Sequence, residues 1–232
     1  VGQKLRELLD LALPTECIGC GGHGGGVLCG DCLPLLVKSR PLSWPDDFTL
    51  GREELGLEAG VAGWRAAGLY HGLLKELVLR LKSSCRHVAT PLSIAMVAAA
   101  GNDPAFLVPD MVCFVPSSRE KVVSRGYNPA ELLARAVSER LGRPLMQCLA
   151  KTRATLDQDG LPGYQRLSNV SGAFGATRIL EPRSSVLLVD DVLTTGATAR
   201  ACSGALLAAG AHEVRVLVAA RAAMRGCPAG RG

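Results

Sequence analysis

The chain has 232 residues, 48% of them hydrophobic, which is enough for one α/β domain plus a small appendage around a full core and excludes a disorder-dominated protein. Its net charge of +5 is modest and is not gathered into one long basic block, so nucleic-acid binding is permitted but not demanded. The longest apolar stretches, such as residues 92–100 and 214–220, fall far short of the about 20 residues needed to span a bilayer, so no membrane insertion is expected.

Residues 1–13 place Leu5, Leu8, Leu9 and Leu13 at helical spacing with Lys4, Arg6, Glu7 and Asp10 between them, which predicts a leading helix and is unlike the apolar centre of a secretory signal. A cytoplasmic protein is the expectation. Cys17, Cys20, Cys29 and Cys32 follow as Cys-x2-Cys-x8-Cys-x2-Cys around a glycine-rich loop. Two such pairs can wrap a tetrahedral Zn²⁺ in four thiolates, a closed shell that leaves no position for substrate and makes the site structural. The metal would supply folding energy that so small a segment, residues 1–40, cannot find in a core of its own. Disulfides, a redox pair and an iron–sulfur cluster are competing readings of the same residues, the first disfavoured in a reducing compartment. His23 could replace one cysteine, although four thiolates leave it as a bystander. Cys85, Cys113, Cys148, Cys202 and Cys227 lack paired spacing and read as small buried hydrophobes.

Residues 41–60, with Pro45, Asp46, Asp47, Glu53, Glu54 and Glu58, read as a connector, and the main domain is expected over 61–232. Residues 66–70 suit a short strand, and 73–81 and 91–100 suit helices forming a flank or hood. Strands are predicted at 111–115, 144–149, 186–189 and 214–219, with helices at 130–141 and 197–209. Strands alternating with helices predict βαβ units and a mostly parallel sheet flanked by helices.

Two loops sit where such a sheet presents ligands. After the strand at 111–115 come Ser117, Ser118, Arg119 and Lys121, then Arg125. These cations could neutralise a pyrophosphate, the arginine fork bonding two oxygens at once; a solvated basic loop is the alternative. Residues 151–174 form a long polar segment whose Lys151, Arg153, Gln158, Arg166 and Asn169 could close over a charged ligand, with Gly160 and Gly163 as flexible points, or could be a plain connector.

The most informative run is 186–200, Val-Leu-Leu-Val-Asp-Asp-Val-Leu-Thr-Thr-Gly-Ala-Thr-Ala-Arg. A continuously apolar strand ends in Asp190 and Asp191, and ligands of open α/β sheets bind beyond the carboxyl ends of the strands. Thr194, Thr195, Gly196, Ala197 and Thr198 then lead into an Ala-rich helix, where free N–H groups and a glycine make an anion cradle. The run therefore reads as a site for a phosphorylated sugar, against the plainer reading of an acidic turn with threonine caps.

This run resembles the phosphoribosyl pyrophosphate (PRPP) motif of type I phosphoribosyltransferases. The resemblance implies that Asp190 and Asp191 hold the ribose hydroxyls and that residues 194–198 hold the 5′-phosphate. The wider pattern joins the cysteine pairs, Tyr70-x-Gly72 with Leu81-Lys82, and Val115-Pro116 followed by Arg125-Gly126-Tyr127-Asn128. Thr155-x2-Gln158, Arg166-x2-Asn169-Val170 and the acid-threonine run complete it. Together these resemble the ComF family, amidophosphoribosyltransferase-like proteins associated in some bacteria with natural competence.

That resemblance implies PRPP bound with Mg²⁺, transfer of ribosyl phosphate to a nitrogen nucleophile, and release of pyrophosphate. Asp190, Asp191, Arg119 and Arg125 would be the catalytic set, with Ser117, Ser118, Lys121 and Gln158 as further substrate contacts. Many members carry additional cysteine pairs where this chain has Trp44-Pro45-Asp46-Asp47, so no second zinc is expected. Two other readings stay open: a PRPP-sensing regulator, and a non-catalytic module binding single-stranded DNA or the competence machinery. The second would draw on Trp44, Trp64, Tyr70, Tyr127 and Tyr164 for base stacking. No residue stands out as a general base, and no stretch identifies the acceptor.

Overall fold

Val186 is 1% exposed and Leu187, Leu188 and Val189 are 0% exposed. Successive strand side chains point to opposite faces, so four buried neighbours in a row require cover on both sides of the sheet. The computed structural model, which describes residues 16–23, 26–38, 42–44, 61–83, 85–152 and 172–222, supplies that cover. The predicted leading helix, residues 45–60, most of the polar loop including Arg153, Gln158, Arg166 and Asn169, and Cys227 lie outside the described residues.

In chain order the elements are α1 (Cys32–Lys38), β1 (Leu42–Trp44), β2 (Gly63–Leu69), α2 (Gly72–Ser83), α3 (Ala89–Ala100), α4 (Pro104–Leu107), β3 (Met111–Phe114) and α5 (Arg119–Arg125). They continue with α6 (Pro129–Leu141), β4 (Leu149–Lys151), β5 (Phe174–Ala176), β6 (Ser185–Leu193), α7 (Ala197–Ala208) and β7 (Glu213–Arg221). The main sheet has the order β1-β2-β7-β6-β3. All its pairings are parallel except that of β1 with β2. β4 and β5 form a separate antiparallel pair against α7.

Helix α3 is apolar nearly all round, which suits its central place: it packs on α6 and covers β2 and β7, while α6 covers β3 and β6. Its one fully buried hydroxyl, Ser93, is satisfied by donating to the Thr90 carbonyl at 2.8 Å and accepting from Arg140 Nε at 2.8 Å. Leu36 of α1 belongs to the same core, with Ile18, Val27 and Leu28 packed against it. The cysteine segment is therefore attached to the main core by apolar contact.

Several boundaries differ from expectation. The strand predicted at 144–149 shrinks to a bridge between Val112 and Leu145, and pairing of β4 begins only at Leu149. Pro144 has no N–H to give and contributes only its carbonyl, to Val112 N at 2.9 Å. A short strand, β1, lies inside the span read as a connector. The basic loop after β3 contains a helix, α5, which Ser118 caps by accepting from Lys121 N at 3.4 Å and which Gly126 ends in the left-handed region at φ 77°. Among the described residues no helix is long and apolar enough to cross a membrane.

Candidate functional site

The strand predicted at 186–189 continues through both acids to Leu193, and this places the site differently from a simple strand end. β3 stops at Phe114, opposite Val189, whereas β7 keeps pairing with β6 as far as Leu193 and Arg221. Asp190 and Asp191 thus lie inside a strand, at the point where it loses one neighbour. Beyond that point the Asp191 N–H is taken up by the Asp190 carboxylate at 2.8 Å. A cavity of about 210 Å³ opens here, lined by Asp190, Asp191, Thr194, Gly196 and Thr198 together with Lys82 and Tyr70.

Local sequence explains the turn. Gly196 adopts φ 76°, which a residue with a Cβ rarely takes, and from there α7 begins. Thr195 Oγ1 accepts from Ala197 N at 3.5 Å, while Ala197 itself is buried. Thr194 and Thr198 face the cavity, so the two threonines flank the helix start on the open side.

The electrostatics are uneven across the acid pair. Burial, and then the charge of Asp191, push Asp190 up to about 8, despite the Asp191 N–H bond and the charge of Lys82 pulling the other way. Asp191 has Lys82 Nζ 3.3 Å from Oδ1, both side chains being partly exposed. Sequence spacing did not single out Lys82 or Tyr70 as site residues. Their signals were their place in the family-like motifs and, for Tyr70, an aromatic ring suited to base stacking, because they reach the cavity from the far end of α2 and the end of β2.

Ser117, Ser118, Arg119, Lys121 and Arg125 are not among the cavity-lining residues. They follow β3, the strand beside β6, and so rise at the same end of the sheet. Ser117 Oγ donates to Asn128 Oδ1 at 2.9 Å, and Asn128 in turn donates to the Val115 carbonyl at 2.9 Å and accepts from Ala130 N at 3.1 Å. Those two serines therefore shape the helix starts around them. The Glu120 backbone N–H and the Ser118 hydroxyl hold Glu120 of α5 low, with Lys151 of β4 adding a smaller pull, while burial and then Asp190 push Cys202 of α7 up against a smaller opposing effect of Lys151.

The second site is the cysteine set. The four Sγ atoms of Cys17, Cys20, Cys29 and Cys32 lie within 4.8 Å of one another, and Cys20 and Cys29 are 3.8 Å apart. Tetrahedral Zn–S bonds of about 2.3 Å require sulfur separations of about 3.8 Å, so these thiols could hold a metal such as zinc. A Cβ on Gly19 would lie 2.7 Å from Cys32 Sγ, so glycine is what lets the first turn close on the fourth ligand. Burial would raise Cys17, but N–H groups of Cys29, Cys20 and Gly19 bring it down to about 6. The neighbouring Cys29 thiol, burial and the other thiols push Cys32 up to about 12. His23 turns to Glu16, 3.7 Å away, and takes no part in the cluster. Of the single cysteines, Cys113, Cys148 and Cys202 are fully buried as expected, whereas Cys85 is partly exposed.

No protein-family model matches the chain. Over 240 residues it is 35% identical to competence protein F of Haemophilus influenzae, spanning 94% of this chain and 95% of that protein. The chain belongs to the ComF family. DNA utilization protein YhgH of Escherichia coli (strain K12) is 32% identical over 148 residues, 62% of this chain and 65% of that protein. An adenine phosphoribosyltransferase of Frankia alni is 36% identical over 103 residues, 42% of this chain and 49% of that enzyme. With the mostly parallel sheet flanked by helices, this likeness makes the fold of the ComF-family chain phosphoribosyltransferase-like.

Proposed function

We propose that the protein binds PRPP with Mg²⁺ and transfers its ribosyl phosphate to a nitrogen nucleophile, releasing pyrophosphate, in support of DNA uptake or use. The observation that carries this reading is that two acids and the glycine-threonine helix start share one cavity. Ribose hydroxyls would donate to Asp190 and Asp191, and the 5′-phosphate would accept from the α7 amides and the threonine hydroxyls. As pyrophosphate leaves, positive charge grows on the sugar beside the acids, and Arg119 and Arg125 would take up charge on the departing group.

Among the described residues the cysteine set is the only group of three or more metal-ligating side chains, so Asp190 and Asp191 are not part of a larger carboxylate cage there. That suits a cation carried by ligand oxygens and water, beside the Asp190 and Asp191 carboxylates. When bound, it would neutralise charge on the pyrophosphate. The cysteines would hold Zn²⁺ in a structural role.

The link to DNA is drawn from the names of the relatives, competence protein F and DNA utilization protein YhgH. A purely DNA-binding module is the second reading. Trp64 is 1% exposed and Tyr127 8%, so neither can stack on a base in this fold. The deciding experiment is incubation with PRPP, Mg²⁺ and a panel of bases and amines, read by pyrophosphate release, alongside thermal shift with PRPP and Mg²⁺. Release with one acceptor supports the enzyme, and a shift without release supports a sensor. A PRPP shift unchanged by Asp190→Asn with Asp191→Asn would remove the acid pair from the site.

A further inference from the structure

Arg221, the last residue of β7, is 0% exposed. Its Nη1 donates to the carbonyls of Leu193 and Ala222 at 2.9 Å each and, more closely, to that of Thr194. Nε and Nη2 have no partner among the described residues. Burying a guanidinium whose Nε and Nη2 find no partner among the described residues is costly, and an apolar side chain of similar size would join the strand ends without that cost. Burial brings Arg221 down to about 10, which leaves it charged at neutral pH.

The carbonyls it holds belong to the turn at the cavity wall. In a trans peptide the C=O of one residue and the N–H of the next point in opposite directions. Drawing the Thr194 carbonyl, and with it the Leu193 carbonyl that also accepts from Ala222 N at 2.9 Å, toward the guanidinium therefore turns the Thr194 and Thr195 N–H groups away from it. Leu193, Thr194 and Gly196 line the cavity, and α7 begins directly after them. Successive outward amides ahead of a helix start make an anion-binding concavity, and a buried cation behind them adds to its field.

We propose that Arg221 is a positioning residue: from beneath, it sets the Leu193–Gly196 turn with its amides facing a phosphate. The proposal rests on the phosphate-sugar reading of this cavity, and it acts through the turn without touching the ligand.

The test compares wild type, Arg221→Lys and Arg221→Met by calorimetry with PRPP and Mg²⁺ and with inorganic phosphate, circular dichroism verifying each fold. Folded Arg221→Met should bind both anions at least about tenfold more weakly, and Arg221→Lys, which keeps charge and donors, should recover most of the loss. Equal affinity in folded Arg221→Met and wild type overturns the role of Arg221 while leaving the cavity reading intact. Failure of wild type to bind either anion overturns both. Should Arg221→Met not fold, ¹⁵N-labelled wild type titrated with inorganic phosphate decides: the Thr194 and Thr195 amide resonances must shift, and unmoved resonances overturn the proposal.

Discussion

The Tyr127 hydroxyl donates to the Leu81 carbonyl at 2.6 Å, fastening the turn after α5 to the end of α2, one residue before Lys82. Arg86 strengthens the join: its guanidinium lies 4.7 Å from the Tyr127 ring centre, and its Nη2 donates to the Gly126 carbonyl at 3.0 Å. Arg125 and Lys82, one from each side, are thereby held in a fixed relation by bonds between residues 46 and 40 positions apart in sequence.

Tyr127→Phe removes that bond and leaves the Leu81 carbonyl without its donor. Stability to urea should fall by about 1–2 kcal/mol. If PRPP binds as proposed, its affinity should fall too, and less than additively in Tyr127→Phe with Lys82→Met, because both changes act through Lys82. Full additivity would mean that the tyrosine serves only the fold.

Purified protein should carry one Zn²⁺ per chain by elemental analysis. Cys17→Ser with Cys29→Ser should lose the metal and lower Tm by at least about 5 °C. Unchanged zinc content in the double variant would remove these cysteines as ligands.

Asp190 gives the ligand-free protein a pH signature. Its folded value, about 8, stands above its ordinary 3.8. Below the lower value both states hold the proton; between the two only the folded state does, so raising pH favours unfolding across that window. The contribution is thus fully present below about pH 4, lost progressively up to about pH 8, and constant beyond. Asp190→Asn should flatten this part of the stability profile and make the variant the more stable protein at pH 8. Parallel wild-type and Asn profiles from pH 4 to 8 would show that Asp190 is already ionised in the fold.

Leu36 makes the cysteine segment hard to remove cleanly. It is 3% exposed within the main core, and Ile18, Val27 and Leu28 pack against that core. Deleting residues 1–40 should therefore lower Tm and increase binding of an apolar dye, since core surface is uncovered. A truncated protein melting like the full chain would mean that these contacts add nothing.

What the sequence made legible follows from how local each signal is. The run Val186, Leu187, Leu188, Val189 announces a doubly covered strand because burial on both faces leaves no alternation, and the cysteine spacing carries its own geometry. The cavity-lining place of Asp190 and Asp191 matches their expected position near a strand end, yet their position inside β6 was not legible, because it depends on β3 ending at Phe114. Helix α5 went unread as a helix. It has seven residues, none fully buried, and Val123 is 75% exposed, so only Ser118 and Gly126 mark it through their caps. Lys82 and Arg221 reach the site through strand order and helix packing, relations that no local pattern encodes.

The outer strands of the main sheet have a consequence for association. Among the described residues β1 closes one side with three residues, and β3 closes the other with four. The outer side of β3 is already engaged where Val112 N donates to the Pro144 carbonyl and Met146 N donates to the Val112 carbonyl, each at 2.9 Å. Short or occupied margins give an incoming strand little backbone to template upon, which is how natural sheets resist runaway edge-to-edge growth. Any lasting assembly of this protein should therefore use helix faces and loops, leaving the sheet at its own width.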